Sequence, residues 1–195
     1  MAALSPDAEA AQIAGAEAAL VGGKPVEKNV LALARGRARR EAKSLVLVLD
    51  GGKTLRLSDG KCAPEEQPCP SYSLVAFLPS HGVFVIWKNE YEAYDFILIE
   101  IASGRQHTVD GPPHYSPDGT RFVTCRIDEM NGGGTTIWRV ASGRYVQEWQ
   151  DERMSVCGRW RDNGAFQLGV YDDVPSGKSR PAMVVRNGTG WQLRK

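Results

Sequence analysis

The chain has 195 residues, 42% of them apolar, with 24 basic and 23 acidic side chains that leave a formal charge of +1. A chain of this size buries roughly 70% of its unfolded surface in its own core, so no cofactor is needed to make it fold. A near-neutral balance sets up no global field for nucleic acid or an anionic membrane, and no apolar run reaches the about 18 residues that a membrane-spanning helix needs.

Residues 1–44 are alanine-rich and nearly free of aromatics. Ser5-Pro6-Asp7 has the makings of a helix start, because serine caps free amides, proline fits the first helical position and aspartate complements the dipole. A helix from about Pro6 to Leu20 is predicted, closed by Gly22-Gly23. Between Pro25 and Lys43, Val26, Val30, Leu33 and Ala34 recur at helical spacing, with Arg35, Arg37, Arg39, Arg40 and Lys43 around the remainder. That pattern predicts an amphipathic helix with a solvated basic end. The first residues lack the basic and apolar regions of a secretory signal, and such a signal is expected to have been removed.

From residue 45 the period changes from helical to alternating, and residues 45–195 are expected to form one mainly β domain of antiparallel meander repeats, with 1–44 as a separate helical segment. Leu45 to Leu49, the turn Asp50-Gly51-Gly52 and Lys53 to Leu57 read as a tight hairpin. Four short strands follow, Leu74 to Leu78, Val83 to Lys88, Asp95 to Ile101 and Arg105 to Val109. The order then recurs. Ala102-Ser103-Gly104-Arg105 reappears as Ala141-Ser142-Gly143-Arg144, 39 residues later. Leu78-Pro79-Ser80-His81-Gly82, Ser116-Pro117-Asp118-Gly119 and Arg161-Asp162-Asn163-Gly164 each precede an alternating strand. Three units emerge, about 72–110, 112–150 and 157–195. Repeats of about 40 residues with four strands each are the arithmetic of a β-propeller. Three units plus a hairpin give about 14 strands, fewer than the roughly 16 of a four-bladed propeller, so a small or incomplete propeller, a sandwich and a barrel all stay open.

Four cysteines punctuate the chain. Cys62 and Cys69 lie in a loop with Pro64, Pro68 and Pro70 that packing cannot hold, and a bridge between them would contribute about 2.5 kcal/mol through loop entropy. Cys125 and Cys157 fall near the centres of two successive units and read either as a second bridge or as two buried thiols. Disulfides persist in oxidising compartments, which favours a periplasmic or secreted protein.

His114-Tyr115-Ser116-Pro117-Asp118-Gly119-Thr120-Arg121-Phe122-Val123 resembles the Phe-Ser-Pro-Asp-Gly-Lys motif of TolB-like and WD-repeat propellers, whose Asp-Gly turn joins the first two strands of a blade. Residues 45–195 as a whole resemble uncharacterised bacterial cell-envelope proteins. The resemblance implies a propeller-like fold and no activity.

Candidate chemistry is sparse. His114, Ser116 and Asp118 include the residue types of a nucleophilic triad, but they lie two apart on one segment, where a triad converges from separate elements. His81 and His107 have no metal-binding pattern around them. No catalytic, cofactor or metal residue is therefore expected. The densest aromatic stretch, Trp87, Tyr91, Tyr94 and Phe96 with Glu90 and Glu92 between them, reads as core or as an anchor for a protein partner. The leading expectation is a non-catalytic binding or scaffolding domain of the cell envelope that holds a protein partner through its loops, with no nucleic acid bound. Two alternatives accompany it: a carbohydrate or ester hydrolase built on Asp128, Glu129, Asp172 and His114, and a calcium or small-ligand sensor at the acidic glycine loop Asp128-Glu129-Met130-Asn131-Gly132-Gly133-Gly134.

Overall fold

Ser5 opens the first helix, its hydroxyl accepting the Ala8 N–H at 3.2 Å. In the computed structural model, which describes residues 4–22, 27–60, 69–90, 93–127, 133–173 and 177–194, that helix (α1) runs Pro6–Gly22 and a second (α2) spans Glu27–Leu33. The basic helix expected to reach Lys43 stops short. Arg35 takes a left-handed φ of 47° and Gly36 one of 82°, which turns the chain out of helix. Ala38–Glu41 then forms strand β1, paired antiparallel with β2 (Ser44–Val48). The basic side chains there are held in ion pairs: Arg37 reaches Asp50 at 2.8 Å, Arg39 reaches Glu41 at 2.7 Å and Arg40 reaches Glu27 at 2.6 Å. The helical spacing of Val30 and Leu33 holds within α2, and beyond it the pairing of Ala38–Glu41 with β2 overrides the helix expected to reach Lys43.

Two compact units divide the chain, Met1–Val109 and Asp110–Lys195. In the first unit, β1, β2 and β3 (Thr54–Ser58) form a three-stranded sheet with a short turn at Asp50–Gly52. Strands β4 (Ser71–Leu78), β5 (Val83–Glu90), β6 (Ala93–Glu100) and β7 (Gln106–Val109) form a four-stranded meander. The core is shared between helix α2 and both sheets, with Val30, Leu45, Leu47, Leu74, Phe84, Ile86 and Ile99 buried together.

Strand β4 is an edge, and an edge leaves a row of amides and carbonyls without a neighbouring strand. Side chains take the place of that strand. Asp59 accepts Tyr72 N–H, Glu27 accepts Leu74 N–H and Gln12 accepts Phe77 N–H, each at 2.9 Å. Gln12 also donates to Phe77 O at 3.2 Å, and Arg40 donates to Tyr72 O. The step from even to odd positions follows a bulge between Leu74 and Ala76, which turns the outward-facing amides over by one residue. Glu9 and Gln12 of α1 are buried, 5% and 7% exposed, although both are polar, because they complete this edge.

The second unit holds two further four-stranded meanders. One comprises β8 (His114–Tyr115), β9 (Arg121–Arg126), β10 (Gly134–Ala141) and β11 (Arg144–Asp151). The other comprises β12 (Ser155–Asp162), β13 (Ala165–Asp173), β14 (Lys178–Asn187) and β15 (Gly190–Arg194). Val123, Ile137, Phe166, Leu168 and Val184 form its core, and a disulfide between Cys125 of β9 and Cys157 of β12 joins the sheets with a Cα–Cα distance of 5.5 Å. The chain is thus mainly β, built of antiparallel, propeller-like meander sheets with helices at its N-terminus.

The repeated tetrapeptide falls in the same place, between the third and fourth strands, but adopts two different turns. Ser142 and Gly143 both have positive φ, 46° and 72°, as a two-residue hairpin requires. In the first unit only Gly104 does, at 74°, and its N–H reaches back to Glu100 O at 2.8 Å. A Cβ on Gly104 would stand 2.7 Å from Leu49 Cδ1. Gly104→Val is therefore expected to destabilise the first unit by about 3 kcal/mol, combining a strained φ with overpacking, and Gly143→Val to destabilise the second through its positive φ of 72°. Urea denaturation of the two variants checks this; a midpoint unchanged from wild type in either would contradict it.

Candidate functional site

A cavity of about 320 Å³ opens in the first unit, lined by Leu4, Leu33, Arg35, Arg37, Asp50, Phe77, Pro79, Gly82, Ile101 and Ala102. That volume is at the small end of the roughly 300–1,000 Å³ of ligand pockets. Its walls are apolar and its charges come from the segment after α2 and the turn after β2. Arg37 and Asp50 neutralise one another at 2.8 Å. Arg35 is exposed; its N–H reaches Ala32 O at 3.4 Å, while its side chain makes no hydrogen bond or ion pair among the described residues. Its left-handed backbone, unusual for a side chain with a Cβ, costs about 1 kcal/mol.

Two of the lining residues, Pro79 and Gly82, flank Ser80 and His81 in the β4–β5 turn. That turn is held by His81 N–H to Leu78 O at 3.1 Å and Gly82 N–H to Pro79 O at 3.2 Å. Glu9 descends on it from α1. One carboxylate oxygen accepts the Ser80 N–H at 3.0 Å, and the other accepts the Ser80 hydroxyl and lies 3.9 Å from His81 Nε2. Burial lowers the His81 pKa, with the Glu9 charge opposing it in part, so the imidazole is neutral at pH 7. An exposed hydroxyl, a buried carboxylate and a neutral imidazole thus meet at one turn beside a cavity.

A second trio lies at the β6–β7 turn. Ser103 donates to Glu100, whose other oxygen is 3.1 Å from His107 Nε2, with Arg105 at 4.0 Å. Burial raises the Glu100 pKa, but the Ser103 and His107 hydrogen bonds and the Arg105 charge outweigh it and leave the carboxyl below its ordinary value. A carboxylate held that firmly in its charged form is a poor proton acceptor, and this trio is a turn clamp.

The residues singled out from sequence are scattered. Trp87 is half-buried on β5 opposite Phe96, Tyr94 packs edge-on against Phe96 at 6.2 Å, and Glu90 pairs with Lys88 at 2.8 Å. Tyr91 and Glu92 lie outside the described residues, as do Asp128, Glu129, Met130, Asn131, Gly132 and the side chain of Asp172. His114 turns its ring edge against Phe166 at 6.0 Å. Ser116 and Asp118 bond each other at 2.7 Å within their turn, so turn chemistry accounts for them. Cys69 is disulfide-bonded, while Cys62 lies outside the described residues. Neither Glu9 nor Ser80 was singled out as a reacting group. The two are separated by 71 positions in the chain.

No protein-family model matches the chain, and no curated protein matches it. Among solved structures it is similar to a puromycin-hydrolysing peptidase of Mycobacterium tuberculosis, at 18% identity and a TM-score of 0.37, covering 81% of this chain and 28% of the peptidase. It is also similar to a protein of Bacteroides fragilis provisionally assigned as a 6-phosphogluconolactonase, at 10% identity and a TM-score of 0.32, covering 81% of this chain and 72% of that one. Likeness at this level transfers no substrate, activity or residue role. The expectation of a non-catalytic scaffolding domain that is not an enzyme is nevertheless corrected. The premise of that expectation, the absence of converging reactive groups, fails at Ser80, whose hydroxyl meets the buried Glu9 carboxylate beside His81. The expected protein partner loses its basis with it.

Proposed function

We propose that the chain is a hydrolase of ester substrates, with Ser80 as nucleophile and Glu9 as its base. The observation that carries this reading is the Ser80 hydroxyl donating to the buried Glu9 carboxylate beside the cavity. A nucleophile needs a base within hydrogen-bond reach and a third group that orients the base, and the Ser80 N–H and His81 orient Glu9. Glu9 takes the hydroxyl proton as Ser80 Oγ bonds to the ester carbonyl carbon. The tetrahedral adduct then expels the alkoxide, which recovers that proton and leaves as the alcohol. Water attacks the acyl-serine in the same way, releasing the acid and returning the proton to Ser80. Neutral His81 can relay the proton between Glu9 and solvent.

A panel of p-nitrophenyl esters of short-chain acids tests the reading. Hydrolysis is expected to fall at least about 100-fold in Ser80→Ala and to be unchanged in Ser103→Ala, which disrupts only the neighbouring clamp. A wild-type rate no higher than that of Ser80→Ala would rule the reading out.

The setting of this hydrolase is outside the cytosol, a reading supported by the Cys125–Cys157 bond, since disulfides persist in oxidising compartments. Cys62 is assigned as the partner of disulfide-bonded Cys69, being the one cysteine of the four that is left. Descent of the meander repeats from TolB-like or WD-like blades is part of the same proposal, supported by the Ser116-Pro117-Asp118-Gly119 turn joining the first two strands of its sheet.

A further inference from the structure

The cavity has an uneven charge. Of its three charged lining residues, Arg37 and Asp50 cancel across 2.8 Å, and Arg37 is further tied to Val48 O at 3.3 Å. Arg35 remains as one uncompensated positive charge above apolar walls of Leu4, Leu33, Phe77, Pro79 and Ile101. Its position is also strained: a φ of 47° suits glycine or asparagine, and no ion pair or hydrogen bond of its side chain among the described residues offsets that strain. A strained residue held at the edge of a cavity is where a functional demand outranks local stability. The planar guanidinium is the side chain best shaped to receive a two-oxygen anion.

We propose that the cavity takes a molecule with a small oxyanion, a carboxylate or phosphate monoester, joined to an apolar body, and that Arg35 receives the anion. This rests on the hydrolase reading only in calling that molecule the substrate. The apolar body lies against Leu33, Phe77 and Ile101, while the anion faces Arg35 at the charged side of the cavity.

Calorimetric titration of the Ser80→Ala protein with hexanoate, hexyl phosphate and 1-hexanol tests it, since that variant binds without turnover. At least one of the two anions is expected to bind at least tenfold more tightly than the alcohol, and the tighter of the two identifies which oxyanion is preferred. Adding Arg35→Gln is expected to erase the advantage. Arg35→Gly is expected to erase it as well while raising the melting temperature, because the backbone strain is relieved; a misfolded variant would melt lower. Equal affinity of the alcohol and both anions, or an anion preference that survives Arg35→Gln, overturns the inference. Ser80-dependent hydrolysis without anion preference sinks this inference alone. Anion preference without any Ser80-dependent hydrolysis sustains it and removes the hydrolytic reading.

Discussion

Replacing Glu148 by leucine lowers the stability of the second unit by about 3 kcal/mol, the lower end of what removing one partner of a buried ion pair costs. The reason lies in strand register. Arg121 and Arg139 are directly opposite one another on β9 and β10, a like-charge pair that destabilises a sheet when uncompensated. Between β10 and β11, Ile137 pairs with Trp149 and Trp138 with Gln147, so Glu148 is the extra residue of a bulge on β11. The bulge aims its carboxylate between the two arginines, 2.8 Å from Arg121 Nε and 3.0 Å from Arg139 Nε. Trp191 of β15 donates to the same carboxylate at 3.1 Å, and Arg121 lies over the Trp191 ring at 5.8 Å. Leucine would leave the buried Arg121 charge and an indole N–H with no acceptor.

The same node makes the second unit acid-sensitive. Burial raises the Glu148 pKa, but the hydrogen bonds from Arg121 and Trp191 and the charges of Arg121 and Arg139 outweigh it, so the folded value lies below the unfolded one. A depressed carboxyl contributes stability that is present above the unfolded pKa of about 4.3 and is lost as pH falls through the folded value. The stability difference between wild type and Glu148→Gln is therefore expected to be constant above about pH 6 and to shrink below about pH 4. Urea titrations followed by tryptophan fluorescence read it; a gap that widens on acidification would contradict the assignment.

Loss of the Cys125–Cys157 bond is expected to cost about 3.7 kcal/mol, the entropy of releasing a loop closed over a sequence separation of 32 residues. Each cysteine is anchored in a paired strand, Cys125 opposite Thr135 and Cys157 opposite Leu168, so the unbonded thiols remain in place and the effect falls on the unfolded state. The Cys125→Ala/Cys157→Ala protein should unfold at lower urea concentration with an increased slope, since its unfolded chain is more open. An unchanged midpoint would mean that packing of Val123, Phe166 and Leu168 already holds the sheets without the bond.

The sequence was most legible where one short-range rule acted alone. The three meander units and the hairpin after residue 44 lie within a few residues of their expected bounds, because alternation and turn residues are local signals. Ala34 to Glu41 was misread because Val30, Leu33 and Ala34 sit at helical spacing, while the feature that ends the helix, a left-handed Arg35, is disfavoured by its own residue type. The shared Ala-Ser-Gly-Arg turns marked equivalent positions without revealing that they close differently. The candidate site was not legible at all. Glu9 meets Ser80 only because β4 is an edge strand whose amides α1 completes, and that depends on a sheet order no local pattern encodes.

The most direct test of Ser80 as the nucleophile is covalent labelling with a fluorophosphonate, followed by proteolysis and mass spectrometry. The proposal expects one adduct, on Ser80, absent from Ser80→Ala and retained in Ser103→Ala. An unlabelled Ser80, or adducts spread over exposed serines without preference, would contradict it.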